Sequence, residues 1–305
     1  MTSTLAEVAA GPAVGRVALV VGVFDGVHRG HRVLLSAVRE AAAVREAHPV
    51  ALVLDPPPIE VIRPGETVAR LAPLGENLAR IVAAGVRPFA ITFDEAVREL
   101  SAEDFLMSVA PALQPVAVVV TPDSAFGRRR EGTPEHLTEI GAQRGFAVVV
   151  IEPETQDGVI SSSQIRQALA EGDLASATDL LGHRPQLTGT VVRGDGRGGG
   201  LGFPTANLAF AHRPALPALG IYAGMVNGRI GALVSVGRRP VFHADGDIVV
   251  EAHLLDWSGD LYDTEIKVEF VSRLRDERNF PSTDALVAQM RADETEARAA
   301  LEGLV

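Results

Sequence analysis

The feature that most constrains the fold is a change of texture near Gly182–Pro185. Before it, strand-length apolar runs alternate with segments of helical spacing. After it, short β-like runs follow one another, separated by Gly and Pro turns. Val17–Val23 is an uncharged run of the kind buried on both faces of a sheet, and His31–Ala47 follows with helical spacing. Val50–Leu54, Pro88–Phe93, Val116–Val120 and Ala147–Ile151 repeat the strand pattern. Asn77–Ala84, Ala102–Ala110, Pro134–Arg144, Ser163–Ala170 and Leu174–Leu181 repeat the helical one. Such alternation implies βαβ units and a mostly parallel sheet. The later runs, Leu187–Val192, Gly220–Val226, Ile230–Val236, Ile248–Leu255 and Glu265–Val271, imply an antiparallel barrel or sandwich. A helix from about Thr283 to Leu301 closes the chain, with Ser282 or Thr283 as its N-cap. Two domains are therefore expected, 1–183 and 184–305, each long enough to bury its own core.

Composition removes several chemistries. The chain has no cysteine, which excludes disulfides, Cys-ligated zinc and a thiol nucleophile. Its formal charge of −11 disfavours non-specific binding to nucleic acid or to an anionic membrane. Lys267 is the only lysine, so a mechanism built on a phosphate-binding lysine is nearly excluded. The N-terminus lacks a basic region followed by an apolar stretch, and runs such as Phe146–Ile151 are too short to cross a bilayer. The expectation is a soluble, cytoplasmic protein; whether it forms a homo-oligomer is left open.

Two segments of the first half carry chemistry. Phe24-Asp25-Gly26-Val27-His28-Arg29-Gly30-His31 joins the first strand to the first helix. Ligands of open α/β sheets bind at the carboxyl ends of strands, and a helix N-terminus attracts phosphate. Gly26 and Gly30 allow backbone to approach a ligand closely. His28 and His31 can donate to phosphate oxygens, and protonated they would stabilise charge on a leaving pyrophosphate. The bland alternative is two surface histidines beside a turn. Ile160-Ser161-Ser162-Ser163-Gln164-Ile165-Arg166 also enters a helix. Ser162 and Ser163 can cap that helix or bond phosphate, and Arg166 can act as a fork donor to a triphosphate. Together the two segments describe a nucleotide cradle that uses no lysine.

Two more lie in the second half. Gly194 opens a glycine-dense loop ending in Gly202-Phe203-Pro204-Thr205-Ala206-Asn207. Glycines let backbone N–H groups wrap a phosphate, and Pro204 stiffens the turn. The Thr205 hydroxyl and the Asn207 carbonyl are hard oxygen ligands suited to Mg²⁺. A Gly-rich hairpin loop with local Thr and Asn turn bonds is the alternative. In Val250-Glu251-Ala252-His253-Leu254-Leu255-Asp256, a period-2 strand puts Glu251 and His253 on one face.

The first two segments resemble the nucleotidylyltransferase superfamily. More narrowly, Gly22 to His31 resembles the adenylyltransferase half of the bacterial bifunctional riboflavin kinase/FAD synthetases, and Gly202 to Asn207 resembles the riboflavin kinase signature. The resemblance runs from about Val17 to Leu301. It implies a nucleotidylyltransferase-like, Rossmann-like parallel sheet followed by an antiparallel riboflavin-kinase-like β-barrel with a C-terminal helix. It also implies two reactions. The second domain would transfer the γ-phosphate of ATP to riboflavin, giving FMN and ADP, with Mg²⁺ on Thr205 and Asn207 and with Glu251 as general base. The first would let the FMN phosphate attack the α-phosphorus of ATP, giving FAD and pyrophosphate. Phe24, Asp25, Gly26, Gly30, Asp123, Ser162, Ser163 and Arg166 would line its nucleotide site, with His28 and His31 catalytic. Gly194, Gly202, Pro204, Thr205 and Asn207 would hold nucleotide in the kinase, and Arg275 and Phe280 flavin, although a helix-end salt bridge is an equal account of Arg275.

The chain departs from the family at several places. Leu54-Asp55-Pro56-Pro57-Pro58 lacks the usual histidine, and Asn77 stands where Lys or Arg is usual. Thr121 replaces a glycine, Ser124 an aromatic, and Val159 a basic residue. Gly237-Arg238-Arg239-Pro240-Val241-Phe242 replaces a Gly-Thr-Asn-Pro-Thr-Phe string, Leu219 an Asp, and Asp263 a glycine. These departures keep two alternatives in view. One is a diverged enzyme with one half inactive, or acting on another alcohol or phosphate ester or on CTP. The other is a non-catalytic flavin- or nucleotide-binding regulator.

Overall fold

The computed structural model describes residues 2–152, 160–194, 200–238 and 248–304. Val159, Arg239, Pro240, Val241 and Phe242, singled out above, lie outside the described residues. The chain divides into two compact units, Met1–Val68 with Leu74–Ser161, and Ala69–Pro73 with Ser162–Val305.

In the first unit, β1 (Gly15–Gly22), β2 (His48–Asp55), β3 (Arg87–Thr92), β4 (Leu113–Val120) and β5 (Ala147–Val150) form a parallel sheet in the order β3-β2-β1-β4-β5. The uncharged runs are explained by two separate cores. Val17, Leu19, Val50, Leu52, Val118 and Val120 face one of them. Ala18, Val20, Ala51, Val53, Ala117 and Val119 face the other. A strand covered on both sides has no polar face to alternate. The helices are α1 (Leu5–Ala10), α2 (Arg29–Val44), α3 (Pro58–Ile62), α4 (Leu74–Ala83), α5 (Glu95–Arg98), α6 (Ala102–Val109) and α7 (Pro134–Arg144). α2 and α4 cover one face through Leu35, Val38 and Ile81. α6 and α7 cover the other through Phe105, Leu106, Leu137 and Ile140. Strand order reverses between β1 and β4, so the loops after them diverge at the carboxyl edge of the sheet. That crevice is where such folds bind ligands.

α7 ends on Gly145, whose φ of 84° is the left-handed value of a helix C-cap. Inside that helix, a Cβ on Gly141 would lie 2.4 Å from the Phe146 carbonyl oxygen. Gly141→Ala must therefore push the returning chain away. It is expected to cost about 1–3 kcal/mol, read as a lower midpoint in a denaturant titration.

In the second unit, β6 (Gln186–Val192), β7 (Ala206–Ala209), β8 (Gly220–Val226), β9 (Ile230–Arg238), β10 (Ile248–Leu254) and β11 (Glu265–Arg275) close an antiparallel barrel in the order β10-β7-β6-β11-β8-β9. Closure settles the choice between barrel and sandwich. β8 and β9 are joined through Asn227 and Gly228, at φ 51° and 68°, the backbone hand that matches the twist of a tight hairpin. Leu187, Leu208, Tyr222, Val234, Val250 and Phe270 fill the barrel. α8 (Ser162–Glu171) and α9 (Leu174–Leu181) add Ile165, Leu169, Ala177 and Leu181 to that same core. As compact units the chain divides between Ser161 and Ser162, with Ala69–Pro73 in the second unit, beside the expected domain boundary of 183/184. α10 (Thr283–Ala300) packs Ala297 and Leu301 against Ala223, Met225 and Leu233. Its N-cap is Ser282, whose hydroxyl accepts the Ala285 N–H at 3.2 Å.

Candidate active sites

In the first unit the chain leaves β1 and turns through Asp25–Val27 into α2. Phe24, Gly26 and Val27 have φ of 54°, 79° and 45°. For Phe and Val that is a strained backbone, held by the surroundings. The Phe24 side chain is fully buried, which anchors the turn. Asn77 and Arg80 of α4 hold it from the other side: the Gly26 N–H donates to Asn77 Oδ1 at 2.9 Å, and Arg80 Nη1 donates to the Gly26 carbonyl at 3.3 Å. Asn77 is buried, and here the departure from the family's basic residue has a use. Asp25 is buried as well. A Cβ on Gly30 would lie 3.2 Å from the Ile160 carbonyl oxygen and 3.4 Å from the His28 ring, so the residue at this position has to be small.

His28 caps α2: its Nδ1 accepts the His31 N–H at 3.4 Å. The two rings stack with centroids 3.6 Å apart, and the Phe24 ring lies 5.1 Å from His31. Burial, with the neighbouring His28 charge, holds the His31 imidazole well below its ordinary value of 6.5. His31 Nδ1 is buried with no hydrogen-bond partner among the described residues. This environment favours the neutral form of His31, which can still donate one N–H to a phosphate oxygen. An anion brought beside it would favour its protonated form. Asp123 lies beyond the end of β4 and is exposed. Its carboxylate accepts the Thr121 hydroxyl at 2.6 Å, the Thr121 N–H donates to Ser124 Oγ at 2.9 Å, and Arg130 Nη2 donates to the Asp123 carbonyl at 3.3 Å. The two departures, Thr121 and Ser124, thereby close a polar network around Asp123.

The serine motif straddles the division between units. Ser162 and Ser163 open α8, and Arg166 Nε donates to the Ala69 carbonyl at 2.6 Å, both within the second unit.

In the barrel, two cavities of about 310 Å³ each share Thr205 as a wall. One is lined by Pro204, Thr205, Trp257, Gly259, Asp260 and Tyr262. Arg193 lies over the Tyr262 ring, 4.8 Å from its centroid. The other is lined by Thr205, Glu251, His253, Arg275, Glu277 and Phe280, among others. Glu251 on β10 is paired in register with Asn207 on β7 and with Ser235 on β9. Asn207 is buried, and its Oδ1 has no hydrogen-bond partner among the described residues. A buried amide oxygen without a donor is costly in an apolar place, and a hard cation satisfies it. Among the described residues no group of three or more His, Cys, Asp or Glu could hold a metal ion. The Asn207 amide and the Thr205 hydroxyl are the hard oxygen donors on this rim, and they fit Mg²⁺ of the kind that keeps waters and phosphate oxygens in its shell. Gly194 lies directly on the amide: its Cβ would sit 2.4 Å from Asn207 Nδ2. Gly202 has φ 89°, a left-handed value suited to glycine.

Arg275 is held by an acid that periodicity did not expose. Its Nε and Nη2 donate to the two carboxylate oxygens of Asp293 on α10 at 2.9 and 2.6 Å. Asp293 is buried and also accepts from Gln289 Nε2 at 2.6 Å. The Arg275 guanidinium lies 5.7 Å from the centroid of Phe280. The salt-bridge account of Arg275 is the one seen, to Asp293 of α10, and the same side chain lines the cavity with Phe280. Asp293 and Arg80 were not found from motifs because each acts through a partner distant in sequence, and Asn77 was noticed only as a departure, not for its bond to Gly26.

Comparisons with known proteins come out consistently. A family model described as FAD synthetase matches residues 12–164, and one described as riboflavin kinase matches residues 181–301. The bifunctional riboflavin kinase/FMN adenylyltransferase of Escherichia coli (strain K12) is 36% identical over 287 residues, 92% of this chain and 91% of the relative. The protein of the same name from Bacillus subtilis (strain 168) is 30% identical over 286 residues, 92% and 90% of the two chains. Among solved structures, one described as a macrolide-efflux protein from Streptococcus pneumoniae superposes with a TM-score of 0.84 at 30% identity, over 95% of this chain and 96% of that one. That description belongs to the neighbour; among the described residues here, no helix is long and apolar enough to cross a membrane.

Proposed function

The chain belongs to the bifunctional riboflavin kinase/FMN adenylyltransferase family, and we propose that it divides the two reactions between its units. It phosphorylates riboflavin to FMN with ATP and adenylylates FMN to FAD with a second ATP. The kinase is assigned to the barrel and the adenylyltransferase to the parallel-sheet unit. The observation that carries the kinase assignment is the register of Glu251 against Asn207, whose Oδ1 is buried and unpartnered among the described residues, beside a threonine shared by two cavities.

In the kinase, Glu251 takes the proton from the ribityl hydroxyl as that oxygen bonds to the γ-phosphorus. The bond from the γ-phosphorus to the bridging oxygen breaks, and ADP leaves. Thr205 and Asn207 would hold Mg²⁺, which when bound neutralises charge on the phosphate oxygens. Gly194, Gly202 and Pro204 shape the loop around the phosphates, and Arg275 and Phe280 form the flavin wall. In the adenylyltransferase, an FMN phosphate oxygen attacks the α-phosphorus and pyrophosphate leaves. His28 and His31 donate to the leaving oxygens, above the turn made by Phe24, Asp25 and Gly26 and packed at Gly30. Asp123 is kept as a nucleotide contact on its place beyond β4; Ser162, Ser163 and Arg166, which belong to the second unit, are kept as nucleotide contacts on their sequence motif alone. Both reactions consume ATP, which supports the cytoplasm as their place.

The test is direct. Riboflavin, ATP and Mg²⁺ are expected to yield FMN and then FAD, resolved by chromatography of the flavins; saturating substrates with no flavin product would overturn the assignment. The polar network of Thr121, Asp123 and Ser124 favours one second reading, altered acceptance by the adenylyltransferase of phosphate esters or of CTP. A panel of acceptors and nucleotides decides it, and strong preference for FMN plus ATP counts against it.

Gly194→Ala provides an independent check on Asn207. The added methyl must displace the amide, so phosphorylation is expected to fall about 10–100-fold and to need more Mg²⁺. FAD formation from supplied FMN is expected to be unchanged.

A further inference from the structure

The strand carrying Glu251 and the turn carrying Thr205 have to be held in register, yet the backbone ladder between them stops short. β10 pairs with β7 at Val250–Leu208, Glu251–Asn207 and Ala252–Ala206 and no further. The next opposed residue is Thr205, followed by Pro204, which has no N–H to donate. At that point a side chain takes over. His253 Nδ1 lies 2.8 Å from the Pro204 carbonyl oxygen, and the His253 ring meets the buried Phe203 ring edge-on at 5.2 Å. A carbonyl only accepts, so Nδ1 carries the hydrogen. His253 is also two residues from Glu251 on the same strand face, and it lines the same cavity.

We propose that His253 is a positioning residue for riboflavin phosphorylation, whose Nδ1–H latch on Pro204 fixes Thr205 relative to Glu251. This rests on the kinase assignment above. The latch ties β10 to the incoming chain one step beyond the last paired residues, where Pro204 has a carbonyl to accept but no N–H to donate. It acts on the one threonine that borders both cavities, so loosening it shifts the phosphate side relative to the alcohol side. The effect belongs in kcat and in the Mg²⁺ requirement more than in affinity for the flavin, because Arg275 and Phe280, the assigned flavin wall, are held by α10 and by each other and not by the latch.

Three substitutions in the full chain separate this from simple packing. H253F keeps a ring against Phe203 and removes the donor. H253N puts an amide N–H where Nδ1 was, and H253Q puts it too far along. Trp257 is the only tryptophan and shares a cavity with Thr205, so its fluorescence reads Mg²⁺·ATP binding at this site without any flavin. H253F and H253Q are expected to lower kcat for phosphorylation about 10–100-fold and to raise the Mg²⁺·ATP concentration at half-saturation of Trp257. H253N is expected to recover most of both, and KM for riboflavin is expected to move little. FMN-to-FAD conversion by the same samples reports on folding and is expected to be unchanged. Equal impairment of H253N and H253F, a normal H253F, or parallel loss of FAD formation would overturn the proposal. A wild-type chain that fails to phosphorylate riboflavin would instead refute the kinase assignment; the Trp257 titration would still decide whether His253 sets the nucleotide side.

Discussion

Glu251→Gln is expected to lower riboflavin phosphorylation by about 10²–10⁴-fold while FMN-to-FAD conversion proceeds at the wild-type rate. The substitution removes proton acceptance while keeping the shape of the side chain. Glutamine has the same shape and can still hydrogen-bond an alcohol, so substrate binding survives and kcat carries the loss. The strand leaves little room for an indirect effect, since Glu251 is clamped in register by Asn207 on one side and Ser235 on the other. A melting temperature near that of the wild type is therefore expected. Glu251→Asp keeps the carboxylate but withdraws it by one methylene. Misplacement of about 1 Å can cost about 100-fold, so the aspartate variant is expected to resemble the glutamine one. Measuring the two reactions separately, with riboflavin in one tube and FMN in the other, makes the second unit's loss visible against an internal standard. A Glu251→Gln chain with unaltered kcat would remove the general base from the mechanism.

How much of this was legible in the sequence depended on range. Val17–Val23 pointed to a strand buried on both faces because no charge interrupts it, and β1 has a separate core on each side. Ser282 could be read as a cap because capping is local. β7 was missed as a strand because Ala206–Ala209 is four residues long and overlaps a motif read as a loop. The expected boundary at 183/184 follows the change of texture; that α8 and α9 also contribute Ile165 and Leu181 to the barrel's core is a tertiary choice that helical periodicity does not encode. The site residues divide the same way. Thr205, Asn207 and Glu251 stand in motifs: Asn207 and Glu251 meet across one strand pair, and Thr205 and Glu251 line one cavity. Asn77 looked like a lost charge, and only the fold shows its amide holding Gly26. Asp293 lies 18 residues beyond Arg275, on another element, and nothing local couples them.

The second large effect is expected in the other unit. His31→Asn should lower FAD formation by about 10²–10³-fold, the loss typical of removing one well-placed donor to developing charge, with riboflavin phosphorylation unaffected. Asparagine cannot titrate, so the same variant tests the environment of the ring. In the folded chain burial and His28 depress the His31 pKa well below 6.5, whereas in the unfolded chain it titrates near that value. Between the two values the unfolded state binds the extra proton. Stability contributed by neutral His31 is thus fully present above about pH 6.5 and falls as pH is lowered toward the depressed value, by at most about 1.4 kcal/mol per pH unit. Denaturant titrations of the wild type from pH 7.5 to 5 are expected to show that slope, and His31→Asn to flatten it. A parallel pH slope in the variant would mean the ring is solvated and ordinary. FAD formation within twofold of wild type would mean that His31 does not face the leaving pyrophosphate, whatever its stacking on His28 suggests.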